Sequence, residues 1–427
     1  MVTGGIRLQR MIGGGKIDRP MLYIDTYNQS TLHGVFGTIK ARIDSNCMYF
    51  ISLEHNKDRK EQTMIAQINV KTKEVRCFDI RKLSPRECGR LMDVPEWALD
   101  RLLPAVSNSA AYKLFGNSIV VSCLKHIYRQ IWFYHKEQEQ QLRLFDDEEW
   151  PEAAYDGHGL RVVTICSGYD AQCLALDALR EEHPELSYDL VAWSEFDPES
   201  KKPLAEQPAV VGHNAIYPQW ADRNMGDMTT ADWQSLHQTD IDLLTYSTPC
   251  TDISQAGKRK GIAPDSGTRS AILWHTEEAI RQLSPRFLIQ ENVAALVNEQ
   301  NRPWFDQWRQ VLTRLGYDSA WTVMNARSFG VPQNRERVFC VSWRRDLFPY
   351  RAVFPFPKPF PLTRCIADVL EPDASPALYL KPESVTSFLQ KNEDGQQQYI
   401  YATVSHRPTS TQIDALIAEA ENKKIDG

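Results

Sequence analysis

Hydrophobic and polar positions along residues 159–345 alternate in short blocks that predict strands and helices in turn. Leu160–Ile165 is a β-branched apolar run ending in Cys-Ser-Gly, and Ala171–Glu182 follows with Leu174, Leu176 and Leu179 at helical spacing. Leu190–Trp193, Ile241–Tyr246, Phe287–Ile289 and Arg337–Ser342 are further short apolar runs, mostly separated by helix-length segments. This alternation predicts an α/β fold with a parallel, doubly wound sheet covered on both faces. Ligands on such sheets sit beyond the carboxyl ends of the strands. Arg81–Tyr134 carries two helix-like patches, whereas Lys136–Asp156 is rich in Glu, Gln and Asp and reads as a solvated linker. Residues 346–427 open on the proline-rich Phe354–Pro361 and end in a polar helix-like tail, Thr411–Lys424. No internal repeat is present.

Composition narrows the classes without naming one. The 427 residues suffice for two or three domains at roughly 150 residues each. Hydrophobic residues are 42% and charged residues 24%, as in soluble globular chains. No apolar run reaches about 18 residues and no signal pattern opens the chain, so a cytoplasmic protein without a membrane span is expected. Nine cysteines are dispersed, with no CxxC pair, which reads as reduced thiols and implies no metal site. Net charge is −6, so any nucleic-acid contact must rest on local basic patches.

Three constellations carry the chemistry. Ser247-Thr-Pro-Cys250 directly follows the run Ile241–Tyr246, where a thiol would face a ligand; a small buried hydrophobe is the bland alternative. Glu291-Asn292-Val293 follows Phe287–Ile289, and its carboxylate is either a turn residue or a catalytic acid. Gln333-Asn-Arg335-Glu-Arg337 opens the run Val338–Ser342, where arginines are commonly just solvated strand ends. Together, a thiol, a carboxylate and two arginines at the ends of consecutive strands suit nucleophilic catalysis with an acid partner and an electrostatic clamp.

In this order the motifs resemble those of the DNA (cytosine-5)-methyltransferase family. Pro249-Cys250 with Ser254 and Ala256-Gly257-Lys258 resembles its nucleophile loop, Glu291-Asn292-Val293 its ENV motif, and Gln333–Arg337 its QxRxR motif. Ser167-Gly168 after the first strand, Glu195-Phe196-Asp197 after the second, and Gly226-Asp227-Met228 before the nucleophile strand resemble its cofactor motifs. Two further motifs, Arg81–Cys88 through Pro95 and Ala111–Ser118, resemble those that normally close such enzymes, yet here they precede the cofactor motif. A circular permutation, with residues 136–158 joining old termini, accounts for that order. The implied domains are 1–80, an N-terminal part of a split target-recognition region; 81–135, permuted motifs packing on the catalytic domain; the linker 136–158; 159–345, catalytic and cofactor-binding on a Rossmann-like methyltransferase sheet; and 346–427, a C-terminal recognition part short enough to be incomplete.

The resemblance implies S-adenosylmethionine as cofactor and double-stranded DNA as substrate. Cys250 would attack carbon 6 of a flipped cytosine, Glu291 would protonate or hydrogen-bond ring nitrogen 3, and Arg337 with Arg335 would hold the base's carbonyl oxygen or order the loop. The attacking form is the thiolate, which local positive charge would favour. Glu195 would hold the ribose, Phe196 pack on adenine, Asp227 accept from its amino group, and Asn117-Ser118 reach the methionine end, with Ser167, Gly168, Tyr169 and Pro249 lining the site. Two residues depart from the family pattern. Asp170 stands where a glycine is usual and would add bulk and charge beside the cofactor, and Thr251 replaces a common glutamine.

Basic residues Lys258, Arg259 and Lys260, with Ser254, are the expected DNA contacts, and Arg7, Arg10, Lys16 and Arg19 form a second basic cluster. In the linker, Gln141-Leu142-Arg-Leu144-Phe145 resembles the QLxLF peptide that docks on bacterial sliding clamps, although these side chains equally suit pinning the linker to the catalytic domain. A restriction endonuclease or a second recognition chain is another candidate partner. A tRNA cytosine methyltransferase, a catalytically inactive DNA-binding homologue and a nicotinamide oxidoreductase are the alternatives; the last lacks a G-x-G-x-x-G after the first strand.

Overall fold

A computed structural model describes residues 22–25, 30–33, 49–54, 63–133, 157–250, 253, 262–264, 266–348, 353–382 and 399–425. The chain divides into two compact units, at Cys88/Gly89 and again at Thr363/Arg364. In the smaller unit the N-terminal part is antiparallel: β1 (Leu22–Asp25) pairs with β2 (Ser30–His33) and β3 (Tyr49–Glu54), and β5 (Val75–Lys82) lies between β3 and β4 (Met64–Asn69). The β4–β5 turn is closed by Asn69, whose Oδ1 accepts from the amides of Lys71 and Thr72. A short helix, α1 (Pro85–Arg90), follows β5. Sequence patterning reads neither these strands nor the sheet they form.

The larger unit opens on three helices, α2 (Glu96–Ala105), α3 (Asn108–Asn117) and α4 (Val121–Trp132). Ser107 caps α3 by accepting from the Ala110 amide. The alternating region then runs β6 (Leu160–Ile165), α5 (Ala171–Glu182), β7 (Tyr188–Ser194), α6 (Pro208–Ile216), β8 (Leu243–Tyr246), α7 (Thr276–Leu283), β9 (Phe287–Val293), α8 (Arg302–Arg314), β10 (Tyr317–Asn325) and β11 (Glu336–Arg344). The sheet order is β10-β11-β9-β8-β6-β7. β7, β6, β8 and β9 are parallel, but β11 is antiparallel to β9 and to β10. The expected all-parallel sheet is therefore corrected to a mixed one. The reason is local: β10 and β11 are joined by residues 326–335 alone, with the short 3-10 segment Ala326–Phe329, which suits antiparallel neighbours, whereas a parallel pair needs a longer crossover.

Both faces are covered, as doubly wound sheets require. On one face Val163, Ile165, Leu244, Tyr246, Leu288, Val338 and Cys340 pack with Ile280 and Leu283 of α7 and with Phe305, Trp308, Val311 and Leu312 of α8. On the other, Trp132 of α4 meets Phe287 edge-on at 5.2 Å, and His213 of α6 stacks on Trp193 at 3.6 Å. Phe133 stacks on His183 just beyond α5, and the Ser122 hydroxyl donates to the Phe329 carbonyl, so α4 is bound at both ends within this unit. The proline-rich stretch stays with it too: Phe354 lies against Trp343, and Phe360 against His126 and Phe329.

Residues 399–425 return to the smaller unit as β12 (Tyr399–Val404), antiparallel to β4, and α9 (Ser410–Ile425). The sheet order there is β12-β4-β5-β3-β1-β2, and Ile413 of α9 packs with Ala66, Ile68, Val75 and Ile400. Among the described residues, no helix is long and apolar enough to cross a membrane, and no group of His, Cys, Asp and Glu is placed to hold a metal ion.

Candidate active site

The carboxyl ends of the parallel strands gather most of the expected residues. After β8, the Ser247 amide donates to the Ile165 carbonyl and its hydroxyl to the Cys166 carbonyl, which turns the chain toward Cys250. Asn292 Nδ2 donates to the Thr248 carbonyl at 3.0 Å, tying this turn to β9. Cys250 is half-buried and free, and the Ile253 amide donates to its carbonyl.

Glu291 and Arg337 are diagonal neighbours across the antiparallel β9–β11 ladder, where Glu291 pairs with Phe339 and Arg337 with Val293. Glu291 is thus inside the strand rather than after it. Arg337 Nε lies 3.0 Å from Glu291 Oε1, with both side chains largely buried, and Arg337 Nη1 donates to the Glu336 carbonyl. Burial pushes the Glu291 carboxyl up from its ordinary value despite Arg337 and Arg335. Burial also pushes the Cys250 thiol up, further than Arg337 pulls it down, and Glu291 adds to the rise. The expected thiolate-favouring site is therefore corrected: positive charge is present, but desolvation outweighs it, and the thiol is the resting form.

Arg335 takes a different place from Arg337. It is buried, and its Nη2 donates to the carbonyls of Gly116 (3.0 Å) and Ser118 (2.6 Å) at the end of α3. Its Nη2 thus faces backbone, which suits the ordering of a neighbouring segment rather than the other expected role, holding the base's carbonyl oxygen. Gln333, also buried, donates to the Leu91 carbonyl. The QxRxR segment therefore fastens the end of α3 and the turn between α1 and α2 to the strand ends.

The turn after β6 is built on three left-handed residues, Cys166 (φ 53°), Gly168 (φ 60°) and Asp170 (φ 67°). The Gly168 N–H donates to Glu195 Oε2 at 2.8 Å, and a Cβ at Gly168 would meet open space. Asp170 does not project beside this space. It is wholly buried as the N-cap of α5, accepting from the Cys173 amide (3.1 Å) and the Thr164 hydroxyl (2.9 Å), with His213 Nε2 at 3.6 Å. The expectation of bulk and charge beside the cofactor is overturned by this capping role. Tyr169 is likewise a core residue, its ring buried edge-on against Phe115 at 5.6 Å, so it offers no ring to a ligand.

Around the open side stand Glu195, exposed Phe196, half-buried Asp227 and Pro249, and the α3 end with exposed Asn117 and half-buried Ser118. Burial pushes the Glu195 carboxyl up against the pull of the Gly168 amide. Asp227 Oδ1 accepts from the amide and hydroxyl of Thr229, which fixes the carboxylate's direction. The Ser167 hydroxyl is buried without a partner among the described residues. An orphaned hydroxyl, an open glycine and a carboxylate at neighbouring strand ends fit a ligand with hydroxyl and charged groups. Asn224 was not anticipated: its Oδ1 accepts from the amides of Glu195 and Gly226 and so joins two of the motifs. Nothing in its own sequence context marks it, whereas Asn292 lay within a motif already singled out.

Ser254, Lys258, Arg259, Lys260 and Thr251, the cluster Arg7, Arg10, Lys16 and Arg19, and the linker residues Gln141, Leu142, Leu144 and Phe145 lie outside the described residues.

The chain is similar to several known proteins. The family described as C-5 cytosine-specific DNA methylase matches residues 19–132 and 161–424. The Type II methyltransferase M2.ScrFI of Lactococcus lactis subsp. cremoris is 37% identical over 206 residues, 48% of this chain and 54% of that protein. The orphan methyltransferase M.SssI of Spiroplasma monobiae is 38% identical over 159 residues, 36% of this chain and 41% of its own. The chain thus spans about half the length of the curated relatives it matches. The solved structure of the S. pombe Dnmt2 methyltransferase overlaps 43% of this chain and 49% of its own, at 17% identity and a TM-score of 0.31.

Proposed function

Because the chain belongs to the C-5 cytosine-specific DNA methylase family, we propose that it transfers a methyl group from S-adenosylmethionine to carbon 5 of a cytosine in DNA, with Cys250 as nucleophile. The observation that carries this reading is the buried Glu291–Arg337 pair on β9 and β11, with β9 tied to the turn that bears Cys250 by the hydrogen bond from Asn292 to the Thr248 carbonyl.

Bound S-adenosylmethionine would supply an electrophilic methyl group on a sulfonium. The remaining work falls to the chain. Cys250 sulfur, its thiol proton released to water, forms a bond to carbon 6, and the electrons of the ring's carbon 5–carbon 6 double bond become available at carbon 5 to take the methyl group. Glu291, its carboxyl raised by burial, gives a proton or a hydrogen bond to ring nitrogen 3 and so offsets the charge that builds in the ring. Arg337 orients Glu291 and adds positive charge at the base's carbonyl side. After methylation, which would leave S-adenosylhomocysteine, water would take the carbon-5 proton, the freed electrons would re-form the double bond and expel Cys250 as thiolate, and ring nitrogen 3 would return its proton to Glu291. These ring atoms are out of reach in a duplex, so the base would be turned out of the stack. Glu195 would take the ribose hydroxyls, Phe196 the adenine face and Asp227 the adenine amino group. Ser167, Gly168, Asn117 and Ser118 would take the methionine end. Arg335 serves as a positioning residue for that last pair.

The motif order is best read as a circular permutation. Of the expected stretch 81–135, residues 81–88 fall in the smaller unit, but residues 89–133 share one compact unit with the mixed sheet, and the bonds from Arg335 to the end of α3 support that reading. We assign target recognition to the residues before 81 and after 345, and DNA phosphate contact to Lys258, Arg259 and Lys260. The Gln141–Phe145 pattern supports a clamp-docking peptide, and a separate recognition or restriction chain would fit the same scheme. All eight cysteines among the described residues are free, which suits a reducing cytoplasm.

Cys250→Ser tests the proposal. The variant should keep its melting temperature and cofactor affinity, lose methyl transfer to mixed-sequence DNA, and form no covalent complex with DNA containing 5-fluorocytosine. Near-normal turnover by this variant would overturn the mechanism.

A further inference from the structure

Asp197 belongs to the Glu195-Phe196-Asp197 motif, but its surroundings differ from those of its neighbours. Lys113 Nζ donates to its Oδ2 at 3.2 Å, and Arg269 Nη2 lies 3.4 Å from its Oδ1. Arg269 also pairs with Glu199 at 3.3 Å, and the Glu199 amide donates to Asp197 Oδ1. The backbone at this point is held from the other side. The Asp197 amide donates to Gln207 Oε1 at 2.7 Å, Gln207 Nε2 returns a bond to the Asp197 carbonyl at 3.4 Å, and Gln207 is buried.

The two cations come from separate stretches of chain. Lys113 is one turn before Asn117 on α3, so the two share a face of that helix. Arg269 opens the short 3-10 turn Arg269–His275, between the nucleophile strand and α7. One carboxylate therefore meets the segment bearing Glu195 and Phe196, the helix end bearing Asn117 and Ser118, and the chain downstream of Cys250.

We propose that Asp197 is a positioning residue for the cofactor site, its carboxylate holding these three segments in the arrangement that accepts S-adenosylmethionine. The inference rests on the cofactor reading above. Burial works against the charge, yet Lys113, the Glu199 amide and Arg269 hold the carboxyl below its ordinary value, so Asp197 is ionised at neutral pH. A charged acceptor shared by two cations makes a network rather than an isolated exposed pair.

The test is cofactor affinity, measured by titration calorimetry with S-adenosylhomocysteine as the probe on the full chain. Asp197→Asn keeps the shape and removes the charge. It should raise the dissociation constant roughly 5- to 30-fold while shifting the melting temperature little. Asp197→Glu should recover part of the loss. In double-mutant cycles with Lys113→Met and Arg269→Met, the effects on affinity should be less than additive, because each removes the same network. An unchanged dissociation constant, a loss that only tracks a lowered melting temperature, or strictly additive effects would each overturn the assignment. The unsubstituted chain is the control that separates the two claims. If it fails to bind the probe, the cofactor reading falls and this inference with it; if it binds and Asp197→Asn binds equally, only this inference falls.

Discussion

Each unit contains a buried arginine–glutamate pair, and the two are built to different ends. In the smaller unit Arg81 grips Glu87 through both Nη atoms (2.8 and 2.6 Å), and the amides of Ser84 and Glu371 complete the carboxylate's shell. Each Glu87 oxygen thus accepts twice. In the larger unit Glu291 receives Arg337 through Nε alone among the described residues, and burial raises its carboxyl. On the proposed mechanism, the number of donors around each buried carboxylate separates a fastening, Glu87, from an acid, Glu291. A saturated carboxylate cannot take or give a proton without breaking several bonds, whereas an under-supplied one keeps an oxygen for a substrate.

The largest effect should come from Glu291→Gln, which keeps the side-chain shape and removes the acid. Methyl transfer should fall by about 10²- to 10⁴-fold, with little change in melting temperature, and activity near normal would erase the distinction. Next, Glu87→Ala should leave the Arg81 guanidinium buried without its counter-charge and cost about 3–5 kcal/mol of stability by urea unfolding. The folded fraction should methylate normally; if instead Glu291→Ala is the more destabilising substitution, the roles are reversed.

The smallest effect should be on the alkylation rate of Cys250, followed by mass spectrometry of its peptide. Because its pKa is raised, little thiolate exists at neutral pH, and the rate should climb as pH rises past the ordinary thiol value of about 8.5. Glu291→Gln removes a charge that raises the thiol and should speed alkylation about two- to tenfold at a fixed pH, while Arg337→Met should slow it. The same substitution would thus abolish transfer and quicken the nucleophile, a pairing that general damage to the site does not produce.

Periodicity located β6 and α5 at both ends, because each has one strongly apolar face or a continuous apolar run. It stopped β9 at Ile289, since Gln290, Glu291 and Asn292 break the apolar run while continuing the strand to bring their side chains to the site. β10 escaped notice because an edge strand pairs on one side only, and Tyr317–Asn325 is mostly half-exposed and mixed in polarity. The residue types of the site were legible from motif order, but directions were not. Asp170 stands immediately before a helix, which is a cap signal in itself, yet its replacement of a glycine suggested the opposite face. Arg335 and Arg337 are two residues apart and diverge because the ladder begins only at Glu336; Arg335 is still in the preceding turn, where its amide donates to the Gln333 carbonyl.

The antiparallel placement of β11 has an evolutionary consequence. Glu291 and Arg337 meet through a strand register, Arg337 opposite Val293 and Phe339 opposite Glu291, rather than through the length of chain that joins them. Their separation is therefore insulated from insertions and deletions in the intervening loops, which a lineage is free to lengthen or trim. What it cannot tolerate is a shift of one residue in the ladder, which would turn one partner to the opposite face of the sheet and part the pair in a single step.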